Sequence, residues 1–186
     1  MCLPRGNEAM RIEIYSVMTR EAFIKVLGAK GYPYEIEGDK IIVTHKYGVN
    51  LKSLDMIPAG VHFNNKEDLD LGSLISLPPR VEFNTEGNVY LNSLKELSAD
   101  VRFNNGGILN LRALEVIPSG VQFNNGSTVY LYDLTSLPSG VVFKNGDDVY
   151  LNALIGGSFS GWNGNIEGID SKRLLNKMIK DGVFER

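Results

Sequence analysis

Apolar positions in this chain return every twenty residues. Phe63, Phe83, Phe103, Phe123 and Phe143 form one file, and Val61, Val81, Val101, Val121 and Val141 stand two residues ahead of each. Leu71, Leu91, Leu111, Leu131 and Leu151 form a further column, as do Leu74, Leu94, Leu114, Leu134 and Leu154. A period kept without insertions marks each repeat as one coil of a solenoid, stacked on the next with like side chains in register. Each coil carries two short alternating pieces, such as Val121-Gln122-Phe123 and Val129-Tyr130-Leu131, with every second residue inward. Between them lies a turn of asparagine and glycine, as in Asn124-Asn125-Gly126. Leucines three apart (Leu131, Leu134, Leu137) then trace a corner, and Pro58, Pro78, Pro118 and Pro138 withhold a donor where the chain turns. Gly60, Gly120 and Gly140 share a column with Arg80 and Asp100, so a left-handed backbone is not expected there.

The period divides the chain. Residues 1–18 are expected to be poorly ordered or a start-site extension, Met10 and Met18 being equally good starts. Residues 19–40 read as a cap: Thr19 begins a helix with the stripe Phe23, Ile24, Val26 and Leu27, which stops near Gly28 to Gly31. Strands at Tyr34–Glu37 and from Ile41 follow. Residues 41–155 form the repeat array, with Ile41, Val43, Val49, Leu51, Leu54 and Ile57 as a weaker first coil. Residues 156–186 are expected to cover the far end. There 156–169 break the period as a loop, Trp162 folds over the last coil, and a helix runs from Asp170-Ser171 to Gly182 with Leu174, Leu175, Met178 and Ile179 inward. Covers at both ends suit a soluble solenoid, whose strand edges otherwise invite further pairing.

Composition narrows the chemistry. A formal net charge of -3 removes any global basic field, so nucleic acid is not the expected partner. The longest apolar runs are only a few residues, so no span, and no membrane partner, is expected. The first residues lack the apolar stretch of a secretory signal, which points to a cytoplasmic location. Cys2 is the only cysteine, which leaves no disulfide framework and no multi-cysteine metal site.

The stretch Leu131-x-x-Leu134-x-x-Leu137-Pro138-x-Gly140-Val141-x-Phe143 resembles the short Leu-Pro type of bacterial leucine-rich repeat. Together with Gly31-Tyr-Pro-Tyr-Glu-Ile-Glu-Gly-Asp-Lys40 and Ile166-Glu-Gly-Ile-Asp170, it also resembles small leucine-rich-repeat-like proteins of bacteria and their phages. Standard leucine-rich repeats place asparagine or cysteine after the strand, where this chain has Leu134. Its asparagines follow the phenylalanine instead, and a second extended piece comes after them. The expected fold is therefore mainly β: a short parallel β-solenoid, or leucine-rich-repeat-like array, of about six coils with helical N- and C-terminal caps. The resemblance implies a binding module and carries no defining activity.

Outward positions hold the candidate functional residues. The second strand shows Asp70, Tyr90, Asn110, Tyr130 and Tyr150 down one column, and Gly72, Asn92, Arg112, Tyr132 and Asn152 down the next. Tyrosines on a rigid strand face suit protein recognition. They also suit an exposed strand with no partner. Tyr90, Arg112, Tyr130, Tyr132 and Tyr150 are the candidate partner-binding residues. The asparagine columns read as amide ladders between coils. The column His62, Glu82, Arg102, Gln122 and Val142 reads as cross-coil pairing. Asp147-Asp148, Glu67-Asp68 and Asp70 match no calcium loop, and His45 and His62 have no cysteine or histidine companion. No catalytic residue, metal or cofactor is expected. The expected function is non-enzymatic binding of a protein partner, with phage inhibition of a host defence or regulatory protein implied by the resemblance. A carbohydrate-binding or carbohydrate-active solenoid and a self-assembling structural unit are the alternatives.

Overall fold

The computed structural model describes residues 18–138, 140–151, 153, 156–157 and 166–167. Five full coils run from Ile41 to Gly140, and a sixth begins at Val141. Two seven-stranded sheets form opposite walls. The first begins with the antiparallel pair Tyr34–Glu37 and Lys40–Val43, then adds Val61–Phe63, Glu82–Phe83, Arg102–Phe103, Gln122–Phe123 and Val142–Phe143 in parallel. The second runs from Val49–Asn50 through Leu69–Asp70, Val89–Tyr90, Leu109–Asn110, Val129–Tyr130 and Val149–Tyr150 to Ile166–Glu167. This is the two-faced parallel β-solenoid foreshadowed by the second extended piece.

Register follows the period, so Phe103 pairs with both Phe83 and Phe123, and Leu109 with Val89 and Val129. Like side chains therefore meet in the interior. The five phenylalanine rings form one file with centroids 4.8–5.6 Å apart and planes within 9° of parallel. All five are fully buried, with the valine and leucine columns around them. Where the leucines turn the corner, the N–H of Leu114 donates to the Leu111 carbonyl (3.0 Å), and Leu54, Leu74 and Leu94 repeat the bond.

A third, discontinuous wall obeys the proline column. Ser76–Leu77 pairs with Glu96–Leu97, and Ser136–Leu137 with Gly156–Gly157. The first pair closes because Ser98 keeps an N–H, which donates to the Leu77 carbonyl (3.2 Å). Pro78, Pro118 and Pro138 have no N–H to offer to the coil before, and residues 76–77, 116–117 and 136–137 form no strand pair with that preceding coil.

The N-terminal cap is helix α1 (Arg20–Lys30). The Thr19 hydroxyl accepts from the Ala22 N–H at 3.1 Å, and Gly31 closes the end in left-handed geometry at φ 70°. The helix therefore passes through Gly28 and stops three residues later. Phe23 and Leu27, one turn apart, are fully buried and belong to the coil core. No helix among the described residues is long and apolar enough to cross a membrane.

Three expectations need correction. The corner column does adopt left-handed backbone: φ is 73° at Gly60, 60° at Arg80, 80° at Gly120 and 76° at Gly140. Asp100 alone in that column escapes, its corner closing through a Val101 N–H to Ser98 carbonyl bond (3.2 Å). Second, 156–169 is not wholly a loop, because Gly156–Gly157 and Ile166–Glu167 continue the third wall and the second sheet. The break in period is a shortening: Val149 pairs with Ile166, seventeen residues on rather than twenty. Third, only the outer asparagine column is a ladder of amide to amide; the inner one bonds mainly within its own coil and reaches the neighbouring coil through longer contacts. Trp162, the helix expected after Asp170 and the segment before Met18 lie outside the described residues.

Candidate binding face

Position along the turn decides what each asparagine does. In the outer column, the Asn84 Nδ2 donates to the Asn64 Oδ1 (3.1 Å), Asn104 to Asn84 (3.0 Å) and Asn124 to Asn104 (3.2 Å), an exposed ladder linking four coils. One residue on, the side chains point inward, and their shortest bonds stay within their own coil. Longer ones reach a neighbouring coil, such as Asn65 to the Thr85 hydroxyl (3.2 Å) and Asn125 to the Gly107 carbonyl (3.4 Å). Asn105 donates to the carbonyls of Gly107 (2.8 Å) and Ile108 (3.1 Å), and Asn65, Asn125 and Asn145 do the same in their coils. These amides hold the turn between the two sheets. Thr85 replaces asparagine once, its hydroxyl donating to the Glu67 carbonyl and accepting from the Gly87 N–H. It avoids a surplus acceptor: the Oδ1 atoms of Asn65, Asn105, Asn125 and Asn145 are buried without a partner among the described residues. In the later coils the residue that follows is glycine, and a Cβ on Gly126 would collide with the Gly106 carbonyl oxygen of the coil below.

On the outer side of the first sheet, charges pair from coil to coil. Glu82 lies between His62 (Nδ1 to Oε2 3.4 Å) and Arg102 (Nε to Oε1 3.5 Å), the cross-coil pairing expected of that column. His62 is buried despite its outward register. Lys66 pairs with Glu86, and Lys95 with Glu115 at 2.6 Å, each across one coil.

The carboxylates near the first coils accept backbone N–H groups, two of them across coils. Glu67 accepts from the Gly48 N–H (3.1 Å), Asp68 from the Asn88 N–H (2.8 Å) and Asp70 from the Gly72 N–H (2.9 Å). No cluster of three or more His, Cys, Asp or Glu suited to a metal occurs among the described residues.

The tyrosines separate into two groups. Tyr130, Tyr132 and Tyr150 come together on the outer side of the second sheet. Ring centroids are 5.5 Å apart for Tyr130–Tyr132, 5.0 Å for Tyr130–Tyr150 and 6.2 Å for Tyr132–Tyr150, with planes inclined by 58°, 33° and 90°. Strand alternation places Tyr130 and Tyr132 on one side, and parallel register sets Tyr150 over Tyr130. All three are half-buried.

Tyr90 stands apart, beyond the buried Asn110. Its hydroxyl lies 3.4 Å from Asp68 Oδ2 and accepts from Asn88 Nδ2 at 3.3 Å. Burial, with the Asp68 carboxylate beside it, pushes its phenol above the usual range. Arg112 is exposed and ties back to the Asn110 Oδ1 through its Nε (3.3 Å). Of the five candidates, three therefore form one cluster, Arg112 stands one coil away, and Tyr90 belongs to a polar network.

A second aromatic group went unread in the sequence. His45 packs between Tyr32 (5.1 Å) and Tyr47 (5.7 Å), with Lys46 Nζ 4.9 Å from the Tyr47 ring centre. Tyr32 arrives from the cap, outside the repeat, so no periodic signal relates it to the other two.

No protein-family model, curated protein or solved structure matches this chain. The case for function therefore rests on the surface itself.

Proposed function

We propose that this protein is a non-enzymatic scaffold that binds another protein through the cluster Tyr130, Tyr132 and Tyr150. The observation that carries this reading is the meeting of three tyrosine rings on the outer side of a sheet whose register is set by an unbroken core. Tyrosine offers large contact area for little rotamer entropy, and a rigid wall loses little more on association. Binding would act by covering the partner's surface. The resemblance to repeat proteins of bacteria and phages suggests a host defence or regulatory protein as that partner. Sugar stacking is less well supported, because rings inclined by 33–90° offer no common flat platform.

The test is capture from host lysate with the wild-type chain and with Tyr130→Ala/Tyr150→Ala. Loss of a specific partner, at roughly 2 kcal/mol or more for a central tyrosine, is expected with little change in melting temperature. Equal recovery by both proteins would remove the reading.

A further inference from the structure

The tyrosine end of the second sheet carries acidic residues, with the exposed Arg112 one coil away as the nearest cation of its column. Residues 127–133 and 147–150, the stretches that carry the three tyrosines, contain Asp133, Asp147 and Asp148 and no lysine or arginine. Asp148 and Tyr150 flank the buried Val149, so both project from the outer side of the strand. The corresponding positions touch within one coil nearer the other end, where Asn88 Nδ2 donates to the Tyr90 hydroxyl at 3.3 Å. Asp147 is steadied by the Ser127 hydroxyl, which donates to its Oδ2 at 2.8 Å. Asp133 lies toward the corner, within the electrostatic reach of Lys95. Asp147 and Asp148 make no ion pair with a described cation, whereas the first sheet and the corner pair their charges coil by coil.

Ring faces and carboxylates favour the same visitor. A π face attracts a cation through its quadrupole, and adjacent carboxylates reinforce the attraction. An acidic or plain apolar partner would instead leave Asp147 and Asp148 desolvated without a counter-charge. From this juxtaposition we infer that the partner presents an arginine-rich segment, its guanidinium groups lying on Tyr130, Tyr132 and Tyr150 and pairing with Asp147 and Asp148. Arginine suits the site better than lysine because its planar head both stacks on a ring and forks onto a carboxylate. The inference rests on the tyrosine-face reading and names the chemistry of what that face receives.

A labelled Arg-Gly repeat peptide, with Lys-Gly and Glu-Gly counterparts, is titrated with the full chain and followed by fluorescence anisotropy. The arginine probe should bind more tightly than the lysine probe, and the glutamate probe should not bind. Asp147→Asn/Asp148→Asn should weaken the arginine probe about tenfold, and raising salt from ~50 to ~200 mM should weaken it further. Glu35→Gln/Glu96→Gln, which changes net charge equally on other walls, should leave affinity unchanged. Equal weakening by the two double variants, or equal binding of the glutamate probe, overturns the inference. A lysate partner lost with the tyrosines but retained by Asp147→Asn/Asp148→Asn sinks this inference alone. A partner retained by Tyr130→Ala/Tyr150→Ala sinks the underlying reading as well.

Discussion

Arg80 occupies a backbone position that its neighbours reserve for glycine. Its φ of 60° matches Gly60, Gly120 and Gly140, yet it carries a Cβ that left-handed geometry penalises by ~1–2 kcal/mol. The side chain reaches the Asp39 carboxylate of the entry hairpin, and both partners are exposed. The positive charge of Arg80 holds the Asp39 carboxyl below its usual range, with their hydrogen bond adding to the effect. A carboxyl whose folded-state pKa is depressed stabilises the fold above its unfolded value of ~3.9 and loses that contribution as pH falls through the lower folded value. Arg80→Gly is therefore expected to stabilise by up to about 1–2 kcal/mol through the backbone. The advantage should grow as pH drops below about 4, where the wild-type pair fades. Urea unfolding at neutral and acidic pH reads both effects, and a destabilised variant at every pH would show that the side chain outweighs the strain. The sequence pointed the wrong way here: Arg80 and Asp100 interrupt the glycines, but interruption does not reveal which residue tolerates the strain and which avoids it.

The third wall shows how one missing N–H sets the extent of an element. Ser98 supplies the donor that Pro78, Pro118 and Pro138 lack, and the pairing of Ser76–Leu77 with Glu96–Leu97 forms where that donor exists. Ser98→Pro should abolish the pairing of Ser76–Leu77 with Glu96–Leu97 and leave the Leu77 carbonyl unbonded. The expected cost is about 1–3 kcal/mol. Hydrogen exchange should show lost protection across 96–98 while Phe83 and Phe103 in the first sheet remain protected. Unchanged exchange would mean that the wall is held by the leucine corner rather than by this bond. The two main sheets were legible as Val-x-Phe and apolar-x-Leu because their inward residues alternate. The third wall was not, since Leu-x-x-Leu-x-x-Leu reads as a bend whether or not neighbouring bends are bonded.

At the scale of the molecule, stacking covers the inward columns of each coil with those of its neighbours, except at the ends. The N-terminal end is closed by α1 through Phe23 and Leu27, while the outermost strand, Tyr34–Glu37, is exposed throughout and carries Glu35 and Glu37. Charges on an edge strand oppose edge-to-edge association. Phe23→Asp would place an unpaired carboxylate at a fully buried position, which costs several kcal/mol unless the helix lifts away. The expected result is a lower melting temperature together with concentration-dependent association, read by light scattering over a dilution series. A variant that keeps the wild-type mass across the dilution series and melts like the wild type would show that α1 is not the seal.

Which residues are equivalent, how many columns face inward and that the coils stack in parallel were all determined by the sequence alone, because like side chains every twenty residues share one interior only when piled in register. Tertiary structure decided what those equivalent residues do. It turned one asparagine column outward as a ladder and the next inward as a clasp, chose the left-handed corners, and carried the second sheet past the end of the repeat. It also gathered three of the five candidate residues into one cluster of rings. Periodicity reports sameness of environment, whereas these outcomes depend on φ, on ångström separations and on which neighbour supplies a donor.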